Sequence, residues 1–234
     1  MTPKTENLIL GIILDMDGVI IDSNPFHKIA WTNFFNKRNV DVNDAIFRDL
    51  IFGTSGGEAI CTLLNMQFSR VELNEFCNEI DSEYRDILRK SKNIQPVNGL
   101  IRFLNSLREG NHKIAMATSA PAENVELVMN KLNILKYFDL IIDKTQVNKG
   151  KPDPEIYLKA INRLCIPAEH CIVFEDSISG IFSAREAGIK VIGVTTSHSE
   201  IELIEAGATL TIADFTEISV PDIVQIMGNS LKQT

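Results

Sequence analysis

The sequence predicts an α/β fold: a parallel sheet with helices on both faces, interrupted after its first strand by a helical insertion. Three observations carry this. Leu8–Leu14 is an apolar run broken only by Gly11 and followed at once by Asp15 and Asp17, as a strand buried on both faces reads. Between Pro25 and Lys92 apolar residues recur at helical spacing, with no convincing strand pattern. From Leu100 onward short apolar runs alternate with helical stretches, the mark of βαβ units and a parallel sheet.

Taken in order, the insertion begins with Phe26–Asn36, where Phe26, Ile29, Ala30, Trp31, Phe34 and Phe35 suit one helix. Ala59, Ile60, Leu63 and Leu64 suit a shorter one. Leu73, Phe76, Cys77, Ile80, Tyr84 and Ile87 recur at intervals of three and four, an apolar stripe on a third. Pro96 and Gly99 close the segment. The expected division is therefore residues 1–23 and 94–234 as the α/β core, and 24–93 as the helical domain. Within the core, strands are expected at Lys113–Thr118, Phe138–Ile142, Cys171–Phe174, Lys190–Val194 and Thr209–Ile212. The helices between them end at Gly110, Gly188 and Gly207, glycine being the usual residue just past a helix. Ile223, Val224, Ile226 and Met227 suit a last helix. The whole reads as a Rossmann-like doubly wound sheet.

At 234 residues, 44% of them hydrophobic, the chain can bury a proper core. Its net charge of −8 argues against nucleic acid or an anionic membrane as partner, since both call for a basic surface. It leaves room for a small anionic substrate, because a metal or a lysine reverses the field locally. No apolar run approaches the length of a membrane span, and no secretory signal precedes the first strand. The four cysteines, Cys61, Cys77, Cys165 and Cys171, form no C-x-x-C pair and read as buried thiols. A monomer in a reducing cytoplasm is the expectation.

Polar groups recur where strands end. The first strand delivers Asp15, Asp17 and Gly18; the second delivers Thr118 and Ser119; the fourth delivers Glu175 and Asp176. Lys149-Gly150-Lys151-Pro152 precedes a helix between them. In a parallel sheet these groups gather at one edge, the edge where open α/β sheets place their sites. Each suits phosphoryl transfer. Oxygens of Asp15, Glu175 and Asp176 suit a hard cation such as Mg²⁺. Thr118 and Ser119 can hold phosphate oxygens at a helix start, and Lys151 can neutralise the transferring group. One aspartate can attack phosphorus while another moves the proton. Alone, each group has a plainer reading: Thr118 and Ser119 as a helix cap, Lys151 as a solvated lysine, Glu175-Asp176 as turn chemistry. Their agreement in chain order favours a site. Gly150-Lys151 is not a Walker loop, since Pro152 stands where Ser or Thr is needed.

These residues resemble the haloacid dehalogenase superfamily of phosphohydrolases, and within it the β-phosphoglucomutase-like branch, over nearly the whole chain. DMDGVIIDS resembles the first motif, which implies Asp15 as nucleophile and Asp17 as general acid/base, with the Asp17 backbone carbonyl at the metal. ATSA resembles the second, with Thr118 and Ser119 on phosphate. KGKPDPEIY resembles the third, with Lys151 its lysine. FEDSISGIFSAREAG resembles the fourth, with Glu175 and Asp176 at Mg²⁺. The insertion resembles the family's four-helix cap. His27 and Trp31 stand where the mutases carry a histidine and a tryptophan near the site. His27 assists proton transfer or gates Asp17 on that reading, or is a structural histidine on the first helix. Gly53-Thr54-Ser55-Gly56-Gly57 stands where the family places a specificity loop, so that Thr54 and Ser55 are expected to contact substrate; Gly56 stands where the mutases carry an arginine for a second phosphate.

The resemblance implies a Mg²⁺-dependent phosphatase of a small phosphorylated metabolite, a sugar phosphate above all, working through an aspartyl-phosphate on Asp15. The alternative it implies is a phosphohexomutase working through a bisphosphate. A signalling receiver domain is the third reading, because receivers share the acidic cluster, a Thr/Ser and a lysine. They are about half this length, however, and lack both the helical insertion and the second aspartate.

Overall fold

The computed structural model describes residues 9–51 and 56–228. The chain divides into two compact units, residues 1–22 with 95–234, and residues 23–94.

The first unit holds a six-stranded sheet of β1 (Gly11–Leu14), β2 (Lys113–Ala117), β3 (Leu140–Ile142), β4 (Cys171–Glu175), β5 (Lys190–Val194) and β6 (Leu210–Ile212). Every pairing is parallel, in the order β3-β2-β1-β4-β5-β6. The crossover segments contain the helices Leu100–Glu109, Ala122–Leu132, Glu155–Leu164, Ile178–Glu186 and Glu200–Ala206, and Val220–Gly228 follows the last strand. The period of two along each strand sorts its side chains to two faces. Ile13, Ala115, Ala117, Val173 and Val191 share one core with Ile156, Tyr157, Ala160, Ile181, Ala184 and Leu203. On β4 the neighbouring residue Phe174 instead meets Phe103 and Phe215, with ring centroids 5.4 and 5.1 Å away. Both faces being covered, the strands can be apolar throughout.

The second unit is helical. It contains α1 (Asn24–Asn36), α2 (Asp44–Ile46), a π turn at Phe47–Ile51, α3 (Gly56–Leu64) and α4 (Arg70–Lys90). The remaining helices are numbered α5 to α10 in the chain order given above. Ala30, Phe34, Phe35, Ala59, Ile60, Ile80, Tyr84 and Leu88 are buried within it. The Arg38 guanidinium lies 3.7 Å from the centre of the Phe34 ring and bonds Glu79 at 2.7 Å, so its charge is paired while its flat face packs on an aromatic. Ser69 and Glu72 form a capping box at the start of α4.

Element edges differ from the expectations where side chains take over backbone groups. The ladder of β1 starts only at Gly11, because the Leu10 N–H donates to Nδ1 of His112 at 3.2 Å. Strand β3 is shorter than Phe138–Ile142: a turn of 3₁₀ helix occupies Leu135–Tyr137, and the Asp139 carboxylate accepts the Ile114 N–H at 2.9 Å. The α2 segment and the π turn have no apolar periodicity to announce them. No cysteine is in a disulfide, but of the four expected to be buried only Cys171 is; Cys61 and Cys77 are half-buried, and Cys165, the left-handed cap of α7 with φ 55°, is exposed. No described helix is long and apolar enough to cross a membrane.

Candidate active site

The register of the central strands brings the expected polar groups to one end of the sheet. Leu14 is level with Met116 and with Phe174, so Asp15, Thr118 and Glu175 all emerge at the carboxyl edge. The Asp15 N–H still donates to the Phe174 carbonyl at 3.0 Å, extending the ladder by one bond.

Lys151 reaches this edge from the loop before α7. Its Nζ donates to Asp15 Oδ1 at 2.6 Å, to the Ala117 carbonyl at 3.2 Å, and to Glu175 Oε1. Its side chain is only 5% exposed, and those of Asp15 and Glu175 are 9% and 1% exposed. The loop is held by Glu155, whose carboxylate accepts the N–H groups of Asn148 and Lys149 and the Lys159 ammonium. Those bonds keep the Glu155 pKa down at about 2. The Lys151–Pro152 peptide bond is cis.

Glu175 is fully engaged. Besides Lys151, its Oε1 accepts the Tyr157 hydroxyl at 2.7 Å. Its Oε2 accepts the N–H groups of Asp176 and Ser177, each at 3.1 Å, and the Ser177 hydroxyl at 2.9 Å. The helix of Ser177 packs so closely that a Cβ on Gly180 would fall 1.9 Å from Glu175 Oε1. Burial and the Glu175 charge keep the Tyr157 hydroxyl protonated well above its ordinary range, so it stays a donor. Burial alone would raise Glu175; Lys151, Tyr157 and the amides overcome it and hold Glu175 below the usual carboxylate range.

Asp15 and Asp176 go the other way. Burial, opposed by Lys151 and reinforced by Glu175 and Asp17, pushes Asp15 up to about 7. Burial and the charges of Glu175 and Asp15 push Asp176 well above the usual range. Among the described residues, the hydrogen bonds to the Asp176 carboxylate fall on Oδ2 alone, and that to Asp15 falls on Oδ1 alone. Gly18 closes the approach: it has φ +77°, and a Cβ there would lie 1.8 Å from Asp176 Oδ2. Asp17, half-buried, precedes it in the same turn. Thr118 is buried, its Oγ1 accepting the Ala120 N–H at 3.1 Å, and Ser119 beside it is exposed.

The structure thus gathers Asp15, Lys151, Glu175 and Asp176. His27 and Trp31 belong to the helical unit: the His27 ring stacks on Tyr84 at 4.1 Å, and Trp31 lies 5.9 Å from Phe35. Thr54 and Ser55 lie outside the described residues. Sequence reasoning missed the roles of Tyr157, Glu155 and the polar run Thr195–Ser199. The last stands at the end of β5, on the same edge as the other groups, and that placement is the signal by which it could be found.

A family model for haloacid dehalogenase-like hydrolases matches residues 12–194, which includes every group just described except Thr195–Ser199. The chain belongs to the haloacid dehalogenase-like hydrolase family. Within that family it is 32% identical to the phosphorylated carbohydrates phosphatase of Thermotoga maritima, over 86% of this chain and 93% of that one. It is 29% identical to the β-phosphoglucomutase of Bacillus subtilis, over 90% of this chain and 92% of that one. Among solved structures, a family IA, variant 3 haloacid dehalogenase hydrolase from Entamoeba histolytica superposes with a TM-score of 0.88. It shares 32% identity and covers 94% of this chain and 100% of its own. The chain is thus a haloacid dehalogenase-like enzyme, with phosphatases and a mutase among its relatives.

Proposed function

We propose that the protein is a Mg²⁺-dependent phosphatase of a small phosphorylated carbohydrate, working through an aspartyl-phosphate on Asp15. The observation that carries this reading is the buried cluster in which one ammonium, Lys151, faces three carboxylates, Asp15, Glu175 and Asp176. Such a surplus of buried negative charge is costly unless a cation joins it. No group of three metal-ligating side chains forms a ready cage among the described residues. Mg²⁺ does not need one, since it is held by one or two carboxylates together with water and substrate phosphate. Asp15 and Asp176, with the Asp17 carbonyl, would hold the ion; Glu175, its oxygens already bonded, would hold Lys151. The ion would offset negative charge on the phosphoryl oxygens.

In this reading an Asp15 oxygen attacks phosphorus, the bond to the ester oxygen breaks, and Asp17 gives that oxygen a proton. Water then attacks the phosphoryl group while Asp17 takes its proton, the Asp15–phosphorus bond breaks, and inorganic phosphate leaves. Lys151, Thr118 and Ser119 hold the phosphoryl oxygens. His27, Trp31, Thr54 and Ser55 are proposed as substrate contacts supplied by the helical unit acting as a cap. The named activity of the Thermotoga relative supports the carbohydrate class, and that of the Bacillus relative supports the mutase as second reading.

The test is phosphate release from a panel of phosphorylated metabolites, with Mg²⁺ and with chelator, the sugars being checked for isomerisation. Metal-dependent release is expected from one or a few sugar phosphates. Isomerised sugar without net phosphate release would replace the phosphatase by the mutase, and no turnover of any phosphoester would sink both.

A further inference from the structure

The loop that follows β5 lies outside the residues on which the proposed chemistry rests, yet its side chains meet that chemistry from the far side. Thr196 Oγ1 donates to the Gly18 carbonyl at 2.6 Å and stands 3.5 Å from Asp176 Oδ2. The Ser197 hydroxyl donates to the same Oδ2. His198 Nδ1 lies 2.9 Å from the Asp176 backbone oxygen. A loop with only its own turn to stabilise bonds its own backbone; Thr196 instead reaches a partner 178 residues away in sequence. The loop is itself fixed, the Thr195 N–H donating to Ile212 on β6 at 3.0 Å and the Thr196 N–H to Val194 at 2.9 Å. It therefore ties the Asp15–Gly18 turn to the Asp176 turn. Because Ser197 bonds Oδ2 and Thr196, anchored on Gly18, stands beside the same oxygen, the carboxylate plane of Asp176 is set while Oδ1 is left to other ligands.

We infer that Thr196 and Ser197 are positioning residues that orient Asp176, and through Gly18 the turn carrying Asp17, for the divalent cation. This rests on the reading of Asp15 and Asp176 as the ion's carboxylates. Partners that orient metal ligands typically change metal affinity 10- to 100-fold when removed, and a hydroxyl lost from a buried carboxylate leaves it free to turn.

The experiment compares the wild-type chain with Ser197→Ala, Thr196→Val and Thr196→Ser. Mg²⁺ affinity is measured by calorimetric titration without substrate, beside the Mg²⁺ and substrate dependence of phosphate release. Ser197→Ala and Thr196→Val are expected to bind Mg²⁺ roughly tenfold more weakly, with substrate KM at saturating Mg²⁺ within about twofold of wild type. Thr196→Ser, which keeps the hydroxyl, is expected to recover wild-type affinity. Wild-type Mg²⁺ affinity in both Ser197→Ala and Thr196→Val overturns the inference, as does a fall in melting temperature with no change in affinity. If wild type binds Mg²⁺ and the variants weaken it but no phosphoester is turned over, the proposed function falls and the positioning role stands. A wild-type chain that binds no Mg²⁺ overturns the positioning role directly.

Discussion

Asp15 is where charge, burial and proposed chemistry meet, and two outcomes follow from replacing it by asparagine. Phosphate release should fall by at least about 10³-fold, since the proposed covalent intermediate forms on Asp15; a fully active Asp15→Asn protein would remove the nucleophile from the proposal. The same variant reports on stability. A carboxyl raised to about 7 keeps its proton in the folded chain over a range where the unfolded chain, near 3.8, has lost it. Its contribution to stability is therefore complete below about pH 4 and lost as pH rises through about 7. Asparagine does not titrate, so in metal-free buffer Asp15→Asn should gain on wild type between pH 4 and 7, by on the order of a few kcal/mol, and level off above. Urea unfolding across that range checks it, and parallel curves would argue that Asp15 is not perturbed. Lys151→Met should behave oppositely at neutral pH. It leaves Asp15 and Glu175 buried without their shared cation, and should cost about 3–5 kcal/mol in the same unfolding experiment; a loss under 1 kcal/mol would mean that the lysine is not the counter-charge. Asp15 and Glu175 were legible in the sequence because a carboxylate stands out at the end of an apolar strand, and Lys151 only because it agrees with them in chain order. Tyr157, Thr196 and Ser197 were not. A hydroxyl in a polar loop or on a helix looks the same whether it faces water, a buried carboxylate or, as with Thr196, a backbone carbonyl 178 residues away, and only the tertiary register decides.

At the scale of the element, the entry to β1 is set by a side chain from outside the strand. His112 is buried, and its Nδ1 accepts the Leu10 N–H, which a protonated ring could not do. Burial pushes its pKa below the ordinary value. As pH falls through about 6.5 the unfolded chain takes up a proton that the folded chain refuses, so the contribution of His112 is present above that pH and lost below it. His112→Asn, whose amide oxygen accepts without titrating, should lose less stability than wild type between pH 7 and pH 5 in urea unfolding; equal losses would mean that the ring is not held neutral. The His112 contact at Leu10, just before the ladder starts at Gly11, was invisible in the apolar run, which continues through Leu10. Strand cores and the helices of the first unit were legible because burial on both faces writes apolar runs and three of the helices end at a glycine, Gly110, Gly188 and Gly207. The stretch Asp44–Ile51 was not, since neither a three-residue helix nor a π turn has a period to read.

For the whole molecule, the alternation of strands and helices foretold a parallel sheet but not the order β3-β2-β1-β4-β5-β6. The order follows from right-handed crossovers that first run outward from β1 and then restart on its other side, and a single sequence carries that reversal only implicitly. The reversal places β1 between β2 and β4, which is why Asp15 and Glu175 can share one ammonium, that of Lys151. The same topology makes a prediction about the helical unit, residues 23–94. The chain leaves the sheet unit after Asp22 and returns at Gln95. Its two crossing points are held side by side, Ile21 bridging Pro96 and the Ile20 carbonyl accepting the Val97 N–H at 2.9 Å. A short flexible linker can therefore join them with little closure entropy. The sheet carries its own core on both faces, through Ile13, Val173 and Tyr157 on one and Phe103, Phe174 and Phe215 on the other. Replacing residues 23–94 by a few Gly and Ser residues should then leave a chain that unfolds in one cooperative transition, with circular dichroism of a mixed α/β protein. The Asp15–Lys151–Glu175 cluster lies wholly in the retained unit, so the excised chain should keep Mg²⁺ affinity within about tenfold of the full chain while losing turnover of sugar phosphates. A product that is molten or insoluble would mean that the helical unit completes the fold rather than serving a site already built without it.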